Sequence, residues 1–97
     1  MDISFELHGD MFLWNQEKAI QNFSKHGVRF EEAATVFGDP MFKLVDAGRN
    51  DEERDAAIGF DDSGRLLYVV HIEIEDEYIR IISARRATDA EEFDYAD

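Results

Sequence analysis

The run Ile79-Arg80-Ile81-Ile82-Ser83-Ala84-Arg85-Arg86-Ala87 holds three of the chain's ten basic residues, and its isoleucines mark it as a strand. One arginine sits inside the strand and two at its exit, in a chain that is otherwise strongly acidic. Guanidinium carries a planar fork of donors that fits a carboxylate or a phosphate. These arginines therefore either pair with acids or hold an anion. With an imidazole beside them, such as His71 on a neighbouring strand, the second case becomes a phosphate site able to move protons near neutral pH.

Composition bounds what can surround such a site. Ninety-seven residues suit one small domain, residues 1–97, with 44% hydrophobic content and eight phenylalanines for a core. The absence of cysteine rules out disulfides and thiolate metal sites and fits a reducing, cytoplasmic setting. No apolar run has the length of a membrane span, and no signal-peptide layout opens the chain. A net charge of −13 opposes general affinity for a polyanion and suits a basic partner, or a few arginines gathered in one patch. There is no glycine-rich phosphate loop, serine-nucleophile motif or metal-ligand spacing, so neither a cofactor nor a metal is expected.

The elements that must position these residues follow from period and punctuation. Ile3, Phe5 and Leu7 alternate over residues 2–8, a short strand before the turn signal Gly9-Asp10. Met11 to Trp14 forms an apolar patch leading into a helix at about 15–26, with Asn15 as N-cap and Gly27 as stop. A second helix at about 30–37 carries Phe30, Ala33, Ala34 and Phe37 on one side and ends at Gly38-Asp39-Pro40. Residues 41–45 read as a strand and 46–52 as a polar loop. Segments 54–60, 66–75 and 78–84 read as an antiparallel meander, and Thr88 caps a last helix through Ala96.

Strict alternation puts Tyr68, Val70, Ile72 and Ile74 on one face with Ile79, Ile81 and Ser83, under the helices. Leu67, Val69, His71 and Glu73 then share the other face with Arg80, Ile82 and Ala84, with Arg54 opposite His71 and Arg80 opposite Glu73. The same residues admit a plainer account, an ordinary cross-strand ion pair of Arg80 with Glu73 beside a half-buried histidine. Lys25-His26 at a helix end could simply favour the helix dipole. Trp14 fits a core position better than a base-stacking platform, and Glu91, Glu92 and Asp94 fit a solvated helix face.

Taken in order, Trp14-Asn15, Lys18, Asn22, Lys25-His26-Gly27-Val28, Phe30-Glu31-Glu32-Ala33, Val36-Phe37, Asp39-Pro40, Glu53-Arg54, Val69-Val70-His71 and Ile79 to Ala87 resemble the BrnT toxins over about residues 12–95. The resemblance implies an α+β, RelE-like fold, with two N-terminal helices packed on an antiparallel β-sheet and a short C-terminal helix. It also implies a metal-independent ribonuclease toxin of a type II toxin–antitoxin pair that inhibits translation. The expected partner is a BrnA-type antitoxin with a ribbon-helix-helix DNA-binding segment, in a 2:2 complex that reaches operator DNA only through the antitoxin.

Metal-free RNA cleavage needs a base for the 2′-hydroxyl, an acid for the leaving oxygen and cations for the phosphorane. Arg54, Arg80 and Arg85 are the candidates for phosphate, His26 and His71 for proton transfer, and Lys25 and Arg86 for further contacts to RNA. Alternation turns Arg85 away from Arg80, so both serve one site only if the strand breaks near Ser83. The acidic last helix departs from the basic one frequent in the family. It keeps open another reading, a non-catalytic module with the toxin fold that binds an antitoxin or other basic partner. In either case the face bearing Leu67, Val69 and Ile82 is an apolar surface for that partner, whose binding segment should be basic or neutral and its grip salt-sensitive.

Overall fold

The computed structural model describes residues 1–48 and 53–97, so the expected 46–52 loop lies partly outside the described residues. The chain opens on a hairpin. β1 (Asp2–Leu7) pairs antiparallel with β2 (Asp10–Asn15) around a two-residue turn. Both turn residues, His8 (φ 52) and Gly9 (φ 87), sit in the left-handed region, as a turn matching the strand twist requires.

This hairpin overturns the expected fold. Met11 to Trp14 is strand because its apolar residues alternate, with Phe12 and Trp14 buried on one face and Met11 and Leu13 half-buried on the other. Only then does α1 (Gln16–His26) begin, capped by Asn15 through its side-chain oxygen at 3.0 Å from the Lys18 amide. Gly27 ends it in a left-handed turn. α2 (Phe30–Ala34) is barely more than a turn and runs into a 3-10 turn, Thr35–Gly38.

The remaining strands are β3 (Lys43–Asp46), β4 (Asp55–Phe60), β5 (Leu66–Ile74) and β6 (Tyr78–Arg86), followed by α3 (Asp89–Ala96). They form a six-stranded sheet in the order β1-β2-β6-β5-β4-β3. The sheet is mixed, not antiparallel, because β2 lies parallel to β6 over Met11 to Leu13. The architecture is therefore not two N-terminal helices on an antiparallel sheet. It is a six-stranded mixed sheet carrying three short helices, the first of which follows two strands. No helix among the described residues is long and apolar enough to cross a membrane.

The core lies between the sheet and α1–α2, where Val28, Phe30, Ala33, Ala34 and Val36 meet Phe12, Trp14, Ala57, Leu67, Val69, Ile81 and Ala84. The covered face of β5 is thus Leu67, Val69 and His71, the reverse of the expected one. Both faces of β5 are apolar enough to be buried, so hydrophobicity alone did not choose between them. Tyr68, Val70, Ile72 and Ile74 face outward and are half-buried. Leu67 and Val69, expected to greet a partner, are wholly buried.

The register differs too. His71 faces Asp55 rather than Arg54, and Arg80 faces Ile72 while Glu73 faces Ile79. The turns set these registers, with five residues between Phe60 and Leu66 and three between Ile74 and Tyr78, and a β-bulge then shifts the β5–β6 pairing. Val70 pairs with Ser83 and His71 with Ile81, so Ile82 is an extra residue in β6. Past the bulge β6 changes its alternation, which sends Ala84 inward and turns Arg85 outward.

Candidate functional site

The bulge decides what the outward face carries. Arg80 pairs with outward Ile72 and Arg85 with outward Tyr68, so arginines that alternation would place on opposite faces share one. At one end Arg80 donates from a terminal nitrogen to Asp2 at 2.9 Å. That hydrogen bond, with the charge of Arg80, holds the Asp2 carboxyl below its ordinary range.

At the other end the Arg85 guanidinium lies 4.3 Å above the centre of the Tyr68 ring, a cation–π contact. Its two terminal nitrogens donate to the two oxygens of Glu91 at 2.7 and 2.9 Å, a forked pair. The arginine's hydrogen bonds drive the Glu91 carboxyl below its usual value; burial works the other way and loses, and the Thr88 amide assists. Glu91 also belongs to the capping box of α3, so the helix start and the arginine share one carboxylate.

Two clefts meet on this part of β6. One, about 370 Å³, is lined by Ala47, Gly48, Arg54, Tyr68, Val70, Ser83 and Arg85. The other, about 300 Å³, is lined by Lys18, Gln21, Asn22, Lys25, His26, Ile82 and Ser83. Ser83 lines both, and the bulge residue Ile82 lies in the second. The two clefts can therefore act on one extended ligand.

Asn22 holds α1 against this edge. The parallel pairing of β2 with β6 ends at Leu13–Arg80, which leaves the β6 backbone beyond it without a strand on that side. The Asn22 side chain takes the strand's place. It accepts from the Ala84 amide at 3.0 Å, donates to the Ala84 carbonyl at 2.9 Å, and donates to the Val28 carbonyl at 3.0 Å. These bonds are buried, so each has the added weight of groups that water cannot reach. Four residues on, one helical turn away, His26 is carried to the same edge.

The structure therefore brings Arg54, Arg85, Lys25 and His26 to two adjoining clefts. Arg80 lies on the same outward face farther along β6, and Arg86 is exposed at the strand end. His71 is elsewhere. It is 1% exposed in the core, edge-on to Phe37 at 4.9 Å, with Nδ1 at 3.1 Å from the Val69 carbonyl. A carbonyl only accepts, so Nδ1 carries the proton there. Sequence reasoning did not single out Ser83, Tyr68 or Glu91 for this place. Asn22 had a legible sign, an amide within the apolar side of a helix.

The family description "Ribonuclease toxin, BrnT, of type II toxin-antitoxin system" matches residues 14–91. The chain belongs to the BrnT toxin family. The solved structure of the Brucella abortus ribonuclease toxin BrnT is similar to it, with a TM-score of 0.61 and 23% identity over 78% of this chain and 94% of that one. At that identity the likeness speaks for the fold, and the correction above stands as a BrnT-like fold. No curated protein matches this chain in sequence. Membership places this chain among the toxins of type II toxin–antitoxin systems and implies an antitoxin partner. β1 and most of β2 precede the matched residues, so Asp2, which holds Arg80, lies outside the family match.

Proposed function

We propose that this toxin cleaves RNA without a metal, on the outward side of β6, and thereby inhibits translation. The carrying observation is that Ser83 borders both the arginine cleft and the Lys25–His26 cleft. An RNA strand crossing β6 there would set its scissile phosphate against Arg54 and Arg85 and its adjoining nucleotide along Lys25. In the reaction the 2′-oxygen attacks phosphorus, a base removes the 2′-proton, and an acid returns a proton to the departing 5′-oxygen. The products are a cyclic phosphate and a 5′-hydroxyl. Guanidinium donors offset the charge that builds on the phosphorane oxygens. His26 is the half-buried imidazole on the clefts, and it carries one of the two proton transfers. Arg80 extends the cationic track along the outward face, Arg86 lies on the other face at the strand end, and His71 supports the sheet from within.

The test is expression in bacteria without an antitoxin. Folded wild type should arrest growth. His26→Gln and Arg85→Ala should each relieve arrest with an unchanged circular-dichroism spectrum, and His71→Gln, judged at equal folded protein, should not. Normal growth on expressing folded wild type overturns the proposal. A second reading, a binding module that has kept the toxin fold, draws on the two arginine–acid pairs and the −13 charge. Protein that captures its antitoxin but leaves RNA intact supports that reading instead. On the first reading the partner is a BrnA-type antitoxin with a ribbon-helix-helix segment, forming a 2:2 complex in the cytoplasm.

A further inference from the structure

We propose that a groove bounded by β1, α1 and α2, apart from the RNA clefts, receives an amphipathic helix of this toxin's own antitoxin. The inference rests on the toxin reading for its occupant and on separate geometry for its place. Trp14 and Phe30 form the floor, edge-to-face at 5.9 Å, and Ile3, Ala19, Ile20 and Phe23 form the walls of a groove of about 340 Å³. Ile20 is 63% exposed and Phe23 44% exposed. They stand three residues apart and so on one side of α1. A continuous apolar surface left open to water in this way marks a contact site.

The rim is polar, with Gln16, Arg29 and Glu31, and the Arg29 guanidinium lies 4.9 Å above the Phe23 ring. An apolar centre within a polar rim is the anatomy of a protein interface. Two apolar residues a helical step apart, backed by a groove, complement a helix that offers anchors at i and i+3 or i+4. Charge fixes the rest of the partner's chemistry. Glu17 is exposed beside Ile20, Glu31 stands on the rim, and the chain carries −13. The helix that docks here has aliphatic or aromatic anchors flanked by lysine and arginine, and the charge steers its approach.

The groove draws its lining from two parts of the chain. Ile3 comes from the hairpin that precedes the family match, whereas Trp14 and the rest of the lining fall inside it. No lining residue is shared with either RNA cleft, so contact here can be removed without touching the cleavage site.

Ile20→Glu and Phe23→Glu test the proposal, with Ile20→Ala as a milder companion because alanine keeps the helix and adds no charge. Calorimetric titration with the antitoxin encoded alongside this toxin should show affinity falling by roughly 30-fold or more for the glutamates, the scale of an interface hot spot. It should fall by a smaller factor for alanine. Wild-type affinity should drop as salt rises. In cells the glutamate variants should stay as toxic as wild type yet escape rescue by the antitoxin. Full rescue, with unchanged affinity in folded variants, overturns the groove and leaves the ribonuclease reading intact. Lost affinity in a chain whose wild type never cleaves RNA supports the groove and removes the ribonuclease reading.

Discussion

Replacing Glu91 by glutamine should make the protein slightly less stable and a better RNA binder. Glu91 is 17% exposed and Arg85 34%, joined by two hydrogen bonds. A hydrogen bond to a charged group contributes about 1.5–3 kcal/mol when shielded. With Arg85 a third exposed, solvent screening reduces the whole pair to about 1 kcal/mol. Glutamine retains the size and, through its oxygen, the capping-box contact to the Thr88 amide, while it loses both the charge and the acceptor that meets the second Arg85 nitrogen. A loss of about 1 kcal/mol lowers the melting temperature of a domain of this size by roughly 4–8 °C.

The same change removes an anion that competes with phosphate for the Arg85 fork. If that competition is relieved in full, RNA affinity rises by the matching factor, about 5-fold. Fluorescence anisotropy of a labelled RNA oligonucleotide on wild type and Glu91→Gln reads it directly. The pH dependence supplies a further check. Because the folded carboxyl is held below its ordinary value, its stabilisation is fully present above about pH 4.3 and disappears as pH falls through the lowered folded value. The stability curves of the two proteins should therefore converge in acid. A lower melting temperature with unchanged or weaker RNA affinity would refute the competition and leave Glu91 as a positioning residue for Arg85.

Gly59→Ala should destabilise the fold by about 1–3 kcal/mol in a chemical-denaturation curve, as overpacking does. A Cβ there would lie 3.0 Å from the Phe42 Cβ and the Val36 Cγ1 and 3.2 Å from an Asp39 carboxylate oxygen. That oxygen accepts from the Tyr95 hydroxyl, so the seat of α3 should loosen as well. Asn22→Leu should cost about 3 kcal/mol by leaving the amide and carbonyl of Ala84 and the carbonyl of Val28 without their partner. Residual RNA cleavage per folded molecule should fall too, since α1 no longer holds His26 to β6; unchanged cleavage would show that the clasp is only structural.

Much of the fold was legible because punctuation is local. Asn15 and Gly27 bound α1, Thr88 starts α3, and the three strands after residue 54 lie close to their expected ends. The opening hairpin was missed because four apolar residues before a helix can be read as its lead-in, and only pairing with β1 and β6 makes them strand. The covered face of β5 could not be read from Leu67 to Ile74, because the outward set, Tyr68, Val70, Ile72 and Ile74, is the more apolar and the opposite set includes His71 and Glu73. What chose it was the parallel insertion of β2 and the closeness of the Thr35–Gly38 turn to β4, both of them long-range contacts. Among the candidate residues the basic ones were legible by type. Glu91 was not, since an acid in a helix of acids gives no sign that it alone meets an arginine.

The feature that most shapes the candidate site is one residue of register. In an unbroken strand, residues five apart face opposite ways, so Arg80 and Arg85 would stand on opposite sides of the sheet. A bulge adds one residue without a cross-strand partner and changes odd to even, which is what Ile82 does between Ser83 and Ile81. Arg85 thereby reaches Tyr68, the clefts and Glu91, while Ala84 turns into the core and presents its backbone to Asn22. The bulge thus ties the burial of the α1–β6 seam to the exposure of the arginine. Any change that restored regular pairing at Val70 and His71 would turn Arg85 into the apolar core, where an unpaired guanidinium has no partner and a high cost. Fold and candidate anion site depend on the same extra residue.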